Sequence, residues 1–129
     1  MDSRVYIDTN VLLDILLDRD QSETARKLVS KYEGRSYISS LTGHLVVYFC
    51  TGLIALDVLD EFLSDHIMLS LDKSDFDWAF LNCKDNDFED ALQLATAIRH
   101  GCDKFITFDK KLVKTYSGMP TISVELASQ

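Results

Sequence analysis

The chain has 129 residues, of which 47% are hydrophobic and 26% charged, which suits a globular domain with one core. Its formal net charge of −8 argues against a general nucleic-acid binder, because an acidic surface repels phosphate backbones. No apolar run reaches the roughly 18 to 20 residues that cross a bilayer, and the N-terminus lacks the layout of a signal peptide, so we expect a cytoplasmic protein without a membrane segment.

The three cysteines, Cys50, Cys83 and Cys102, are odd in number and widely spaced. This argues against a disulfide framework and against a cysteine-based zinc site. Because a free cysteine packs like a small hydrophobic residue, we expect all three to be buried or half-buried thiols.

Short apolar strands alternate with helical stretches along the chain. In chain order we predict a strand over 4–7, helices over 11–19 and 21–34, a strand over 35–39, helices over 41–53 and 55–65, a strand over 66–70, helices over 74–83 and 88–101, and strands over 104–108 and 120–124. The stretch over 41–53 is interpreted as a helix, although its β-branched and aromatic residues also suit a strand. Ser74 is predicted as an N-cap, and Gly101 ends the helix that precedes the fourth strand.

Strands that alternate with helices are typical of a parallel sheet with helices on both faces. We therefore predict an α/β fold of three layers, α/β/α, with a central parallel sheet of about five strands and one domain over residues 1–129. Such sheets bind ligands in the crevice at the carboxyl ends of their strands. The residues that follow each strand are therefore the first candidates for a functional site.

Acidic residues occur at three places that such a fold can bring together. Asp8 follows the first strand, with Asn10 two residues later. Asp109 lies beyond the fourth strand, two residues after Thr107. Asp90 lies at the start of the helix that leads into the fourth strand. Carboxylates that lie close together repel unless a cation lies between them, and Asp oxygens are the ligands that Mg²⁺ and Mn²⁺ prefer.

Each of these residues also has a simpler explanation. Asp8 can cap the helix that follows it, and Asn10 and Asp109 are common turn residues. Asp87 and Asp90 have the spacing of a capping box, and the helix dipole favours acids in a first turn. The prediction of a site therefore depends on the joint placement of the acids.

Three other phosphate chemistries suit the sequence less well. Haloacid-dehalogenase-like phosphatases need Asp-x-Asp after the first strand, and Asn10 occupies the second of those positions. Response-regulator receivers usually have paired acids there, whereas this sequence has Asp8 alone. The sequence contains no Gly-x-x-x-x-Gly-Lys, which excludes a P-loop.

Four segments resemble the PIN domain family, in particular the VapC-like toxins of bacterial toxin–antitoxin pairs. They are VYIDTNVLLDILL (5–17), YISSLT (37–42), DFEDALQLATAIRHGCDKFITFDKKL (87–112) and MPTISVELA (119–127), in the family's order. The first and third segments are the specific ones. The resemblance implies a ribonuclease that cleaves single-stranded RNA with Mg²⁺ or Mn²⁺ as its cofactor.

The resemblance also implies roles for individual residues. Asp8, Asp90 and Asp109 correspond to acids that bind the metal. Asn10 would orient Asp8 by a hydrogen bond, and Thr107 would lie beside the site.

One acid of the family is missing. The family's second acid usually follows a segment like YISSLT by two or three residues, where this sequence has Gly43, His44 and Leu45. Neutral imidazole is a poor Mg²⁺ ligand, so His44 is interpreted as a residue without a site role in preference to a metal ligand. We therefore expect weaker metal binding and slower or more Mn²⁺-dependent cleavage.

The resemblance further implies a homodimer and a small antitoxin protein as partners. Five basic residues near the C-terminus are either a solvated face or guides for phosphate groups: Arg99, Lys104, Lys110, Lys111 and Lys114. The leading hypothesis is a metal-dependent endoribonuclease, the toxin of a toxin–antitoxin pair. The alternative is a degenerate PIN-fold module that binds RNA or a protein partner without cleaving.

Overall fold

The computed structural model describes residues 3–84 and 86–128, which contain five strands and seven helices. The strands are β1 (Val5–Ile7), β2 (Ser36–Ser39), β3 (Ile67–Leu69), β4 (Lys104–Thr107) and β5 (Ser123–Leu126). The helices are α1 (Thr9–Leu16), α2 (Ser22–Lys31), α3 (Ser40–Cys50), α4 (Leu56–Ser64), α5 (Lys73–Asn82), α6 (Phe88–Arg99) and α7 (Lys110–Thr115).

The five strands form one parallel sheet in the order β3-β2-β1-β4-β5, which confirms the predicted fold. From β1 the chain adds β2 and β3 on one side of the sheet, and it then adds β4 and β5 on the other. The direction of winding therefore reverses between β1 and β4. Open parallel sheets form their ligand crevice at this kind of switch point, at the carboxyl ends of the strands.

Helices pack on both faces of the sheet. Successive residues of β1 point to opposite faces, and all of them are apolar or aromatic, so each face needs a covering layer. Val5 and Ile7 belong to one buried cluster with side chains of α1, α2 and α3. Tyr6 belongs to a second cluster on the other face, where its ring stacks on that of Phe105 with centroids 5.0 Å apart. All three residues of β1 are fully buried, so the sheet is the middle of three layers.

Several predicted boundaries need correction. The stretch over 41–53 is helical over Ser40–Cys50, which settles the ambiguity between helix and strand. Ser74 is not the N-cap of α5; Asp72 is, and it forms a capping box with Asp75. The last strand begins later than predicted, at Ser123 in place of Pro120, and pairs with β4 from Lys104 onward. The short helix α7 was not predicted.

The structure confirms the prediction for the cysteines. All three cysteines are free, with Cys50 and Cys102 buried and Cys83 half-buried, as predicted. Within the described residues, no helix combines the length and apolar character that a membrane crossing requires.

Candidate active site

Asp8 joins the end of β1 to the start of α1. Its side chain makes no capping hydrogen bond, so helix capping does not account for the carboxylate. The residue is 3% exposed, and its backbone N–H donates to the carbonyl of Ile106 at 3.0 Å. The Thr107 hydroxyl donates to Asp8 Oδ2 at 2.8 Å, and Gln93 Nε2 donates to Asp8 Oδ1 at 3.2 Å. The carboxylate is therefore held at both oxygens between β1, β4 and α6.

Asp90 lies in the first turn of α6. Asn86, with a φ of 64°, turns the chain into the helix, and Asp87 is the N-cap. The side chain of Asp87 accepts a hydrogen bond from the backbone N–H of Asp90 at 3.2 Å. Capping is therefore the role of Asp87, and it leaves the buried carboxylate of Asp90 without a helix-capping explanation.

The acids at this end of the sheet interact electrostatically. Burial raises the pKa of Asp90 to about 9, and the nearby negative charges of Asp8, Asp87 and Asp109 add to this effect. Burial also raises the pKa of Asp8, against the lowering effect of the hydrogen bonds that it accepts. Among the described residues, no basic side chain forms an ion pair with Asp8 or Asp90. When they are ionised, the two buried carboxylates form a region of negative potential that a cation would neutralise.

Glu89 is a further acid of this region, to which the sequence analysis gave no role. Burial raises its pKa, and the charges of Asp87 and Asp8 raise it further. Its position in the acidic turn before Asp90 was visible in the sequence, but the helix dipole alone would also favour an acid there.

Asp109 lies beyond β4, and its carboxylate is already occupied by α7. Its Oδ1 accepts hydrogen bonds from the backbone N–H groups of Lys111 and Leu112, at 2.9 and 3.2 Å. The residue is exposed, yet its charge raises the pKa of both Asp8 and Asp90. Asp109 is therefore near the two buried acids, while its side chain in this structure caps a helix.

Thr107 and Asn10 lie in different environments. Thr107 is fully buried, and besides donating to Asp8 it accepts a hydrogen bond from the backbone N–H of Asp109 at 3.0 Å. Asn10 is exposed in the first turn of α1. The side-chain hydrogen bonds to Asp8 come from Thr107, which was predicted to lie beside the site, and from Gln93, which was not predicted.

A divalent cation fits the chemistry of these donors. Carboxylate oxygens are hard ligands, and Asp8 and Asp90 lie in the crevice without a basic partner. Within residues 3–84 and 86–128, no three His, Cys, Asp or Glu side chains are already grouped as a metal site. Two physical reasons account for this: like charges repel in the absence of a cation, and Asp109 is held by its helix cap. Mg²⁺ usually retains several waters and needs only one or two carboxylates, which suits the Asp8 and Asp90 pair.

The start of α3 contributes no acid, as the sequence indicated. Gly43 is buried, and a Cβ atom there would lie 2.6 Å from Cε of Met68. His44 is exposed and Leu45 is half-buried. The residue of α3 that reaches the site is Thr42, whose hydroxyl lies 3.2 Å from Oε1 of Gln93.

The predicted basic group is divided in the structure. Arg99 forms an ion pair with Asp75 at 2.8 Å, and Lys104 begins β4 at the end of the strand opposite to the acids. The remaining three basic residues are exposed on α7, the helix that Asp109 caps: Lys110, Lys111 and Lys114.

Comparisons with known proteins agree with the fold. The PIN domain model matches residues 5–117. A toxin–antitoxin complex from Klebsiella pneumoniae is similar with a TM-score of 0.74 and 21% identity, over 92% of this chain and 94% of that chain. DNA-bound VapBC from Salmonella typhimurium gives a TM-score of 0.72 and 18% identity, over 97% and 98% of the two chains. VapBC2 from Rickettsia felis, bound to a DNA fragment from its promoter, gives a TM-score of 0.69 and 12% identity, over 95% of this chain and 97% of that chain.

A search of curated proteins found no match. The solved structures share the fold of this chain at low sequence identity, and the PIN domain model covers most of its length, from β1 to the end of α7. The chain therefore belongs to the PIN domain family.

Proposed function

We propose that the protein is a metal-dependent endoribonuclease that hydrolyses phosphodiester bonds of single-stranded RNA. One observation carries the proposal: Asp8 and Asp90 are buried in the crevice of the sheet, and no described basic side chain pairs with them. Membership of the PIN domain family, whose members are generally nucleases, supports the reaction class. The choice of RNA and of Mg²⁺ or Mn²⁺ is our inference from the acids and from the sequence motifs.

Asp8 and Asp90 would bind the metal, and Asp109 would complete the site directly or through a water molecule. A bound divalent ion supplies a water nucleophile of lowered pKa and positive charge next to a phosphoryl oxygen. Thr107 and Gln93 donate to the two oxygens of Asp8 and so orient this ligand.

Substrate approach has to overcome the protein's net charge of −8. Lys110 and Lys111 are exposed immediately after Asp109, so they place positive charge at the edge of the acidic crevice. A local basic patch of this kind attracts the phosphate backbone even when the overall charge is negative.

We further propose that the protein is the toxin of a toxin–antitoxin pair, with a small antitoxin and a second copy of the chain as partners. The similar solved structures are chains of toxin–antitoxin complexes, which supports the antitoxin. Phe80 and Leu81 of α5 are 75% and 85% exposed, and apolar side chains this exposed are typical of a surface that a protein partner covers. Light scattering of the purified protein measures whether it is a dimer.

Cleavage of a mixed single-stranded RNA pool tests the nuclease proposal. We expect the wild-type protein to cleave with Mn²⁺ or Mg²⁺ and to be inactive with a chelator, and Asp90→Asn, which removes a proposed ligand, to lower the rate by at least about 10-fold. Asp103→Asn is the matched control, because Asp103 is an exposed acid just before β4, at the opposite end of the strand from Asp109. It should retain the wild-type rate.

The second candidate is a PIN-fold module that binds RNA without cleaving it. The observation in its favour is the start of α3, where Gly43, His44 and Leu45 occupy the positions of the family's second acid. A well-folded preparation that binds the RNA pool but cleaves none of it with either metal would establish this alternative and overturn the nuclease proposal.

A further inference from the structure

Gln93 is a fully buried glutamine in α6, three residues after Asp90. A buried amide is costly unless both its nitrogen and its oxygen find partners. The nitrogen of Gln93 donates to Asp8 Oδ1 at 3.2 Å, and the oxygen lies 3.2 Å from the hydroxyls of Thr9 and Thr42. Both ends of the amide are therefore satisfied, and one of them contacts the central acid of the site.

The surrounding donors fix which end of the amide faces Asp8. The backbone N–H of Thr9, 3.4 Å from Oε1 of Gln93, can only donate, so the oxygen must lie on that side. The acid on the other side agrees, because an ionised carboxylate such as that of Asp8 can only accept and so faces the nitrogen. The orientation with nitrogen toward Asp8 is therefore dictated by the hydrogen bonds, not by a choice between two equivalent flips.

The same network links α3 to the site. The hydroxyl of Thr42 lies 2.9 Å from that of Thr9 and 3.1 Å from that of Tyr6, in addition to its contact with Gln93. Ser39, the N-cap of α3, accepts from the backbone N–H of Thr42 at 3.1 Å and fixes its position. The helix that lacks the family's acid is thus connected to Asp8 through the amide of Gln93.

We propose that Gln93 is a positioning residue of the metal site, which locks the Asp8 carboxylate in one orientation. Thr107 alone would hold only Oδ2 and leave the carboxylate free to rotate. The second donor, on Oδ1, prevents this rotation. The inference rests on the proposed function, because it concerns the metal affinity of that same site.

Titration with Mn²⁺ followed by calorimetry tests the inference without any assay of RNA cleavage. Gln93→Met keeps a side chain of similar length but has no donor for Asp8, and we expect it to raise the dissociation constant for Mn²⁺ by about 10- to 100-fold. Thr96→Val is the matched control, because Thr96 is also fully buried in α6 but donates to Asp75, away from the site. It should bind Mn²⁺ within about twofold of the wild type.

Thermal unfolding with a chelator measures how far each variant loses stability apart from metal binding. If Gln93→Met fails to fold, Gln93→Asn gives the same comparison, because its amide is one methylene too short to reach Asp8, and weaker Mn²⁺ binding is again expected. A second readout is cleavage against Mn²⁺ concentration: excess metal should restore the rate of the Gln93 variant and leave Asp8→Asn inactive.

The outcomes separate this inference from the proposed function. Loss of Mn²⁺ binding in Asp8→Asn together with wild-type affinity in the folded Gln93 variant would overturn the positioning role and leave the metal site intact. Absence of Mn²⁺ binding by the wild-type protein would overturn the proposed function, and the positioning role with it.

Discussion

Two buried aspartates on neighbouring helices have opposite electrostatic environments. Asp75 of α5 is 1% exposed, and its carboxylate accepts from Arg99 Nε at 2.8 Å, from the Thr96 hydroxyl at 2.9 Å and from the backbone N–H of Asp72 at 2.9 Å. Burial acts to raise its pKa, but the hydrogen bonds and the charge of Arg99 outweigh burial and hold it below the ordinary value. Asp90 of α6 faces other acids, and burial with their charges raises its pKa to about 9.

This difference in electrostatic environment identifies Asp75 as a structural acid and Asp90 as a candidate metal ligand. The charge of Asp75 is balanced by a cation within the chain, so its role is to fasten α5 to α6. Asp90 has no described basic partner, so its charge can be balanced only by a proton or by an ion from outside. Strong pKa perturbation in a crevice points to function, whereas the same burial with a matched partner points to stability.

Removing the charge of Asp75 should give the largest change in stability. Asp75→Asn leaves Arg99 without its carboxylate, and we expect the free energy of unfolding to fall by about 2–3 kcal/mol, because a hydrogen-bonded buried charge pair loses one partner. Urea unfolding measures this. Asp77→Asn is the control, since Asp77 is an exposed residue of α5 paired with Lys73 and should cost less than about 0.5 kcal/mol. Equal stability of the two variants would contradict the structural role of Asp75.

The pH dependence of stability should have opposite signs for the two acids in metal-free protein. For Asp90, the folded pKa of about 9 lies above the unfolded one, so its contribution is full below about pH 4 and is lost as the pH rises toward 9. For Asp75, the folded pKa is lowered, so its contribution is present above about pH 4 and is lost as the pH falls through the folded pKa.

Unfolding with a chelator between about pH 5 and 9 measures the contribution of Asp90, at no more than about 1.4 kcal/mol per pH unit. Asp90→Asn should make this decline with pH less steep and leave the contributions of Asp8 and Glu89, whose pKa values burial also raises, whereas Asp75→Asn should retain the full decline. If the free energy of unfolding declined with pH as steeply in Asp90→Asn as in the wild-type protein, the buried, acidic environment of Asp90 would be refuted.

Metal addition should stabilise the protein through one of the two acids only. Mn²⁺ at about ten times its dissociation constant should raise the free energy of unfolding by about 1.4 kcal/mol, or the melting temperature by about 4 °C. The increment should disappear in Asp90→Asn and persist in Asp75→Asn, although the latter is less stable throughout. An increment that survives in Asp90→Asn would place the cation elsewhere.

Much of this architecture followed from local sequence patterns. The alternation of strands and helices predicted the parallel sheet, and the position of Asp8 after the first strand predicted that it lies in the crevice at the carboxyl ends of the strands. These features depend on periodicity and on the order of elements, which are properties of neighbouring residues. The capping of α6 was also visible, since Asp87 and Asp90 have the spacing of a capped first turn.

The parts that sequence reasoning missed depend on contacts between distant residues. Gln93 occupies a helix position like any other in the sequence, and its hydrogen bond to Asp8 spans 85 positions. Asp75 was passed over because its partner Arg99 is 24 positions away, and Arg99 itself was grouped with the lysines as a possible phosphate guide. A titratable residue can be recognised in the sequence. Whether a residue of opposite charge lies next to it in the folded protein cannot be recognised there.

The smallest effect is expected for a variant of His44, which tests whether α3 contributes a ligand to the acidic site. His44 is one of the three residues where the family's second acid is expected, but it is exposed, and its ring lies 6.2 Å from that of Tyr48. His44→Ala should therefore change the RNA cleavage rate and the Mn²⁺ dissociation constant by less than about twofold, as for an ordinary surface residue. A loss specific to Mn²⁺ would instead make the imidazole a ligand, because nitrogen binds Mn²⁺ better than Mg²⁺. In that case α3 would supply a fourth ligand directly, and Gln93 would not be its main connection to Asp8.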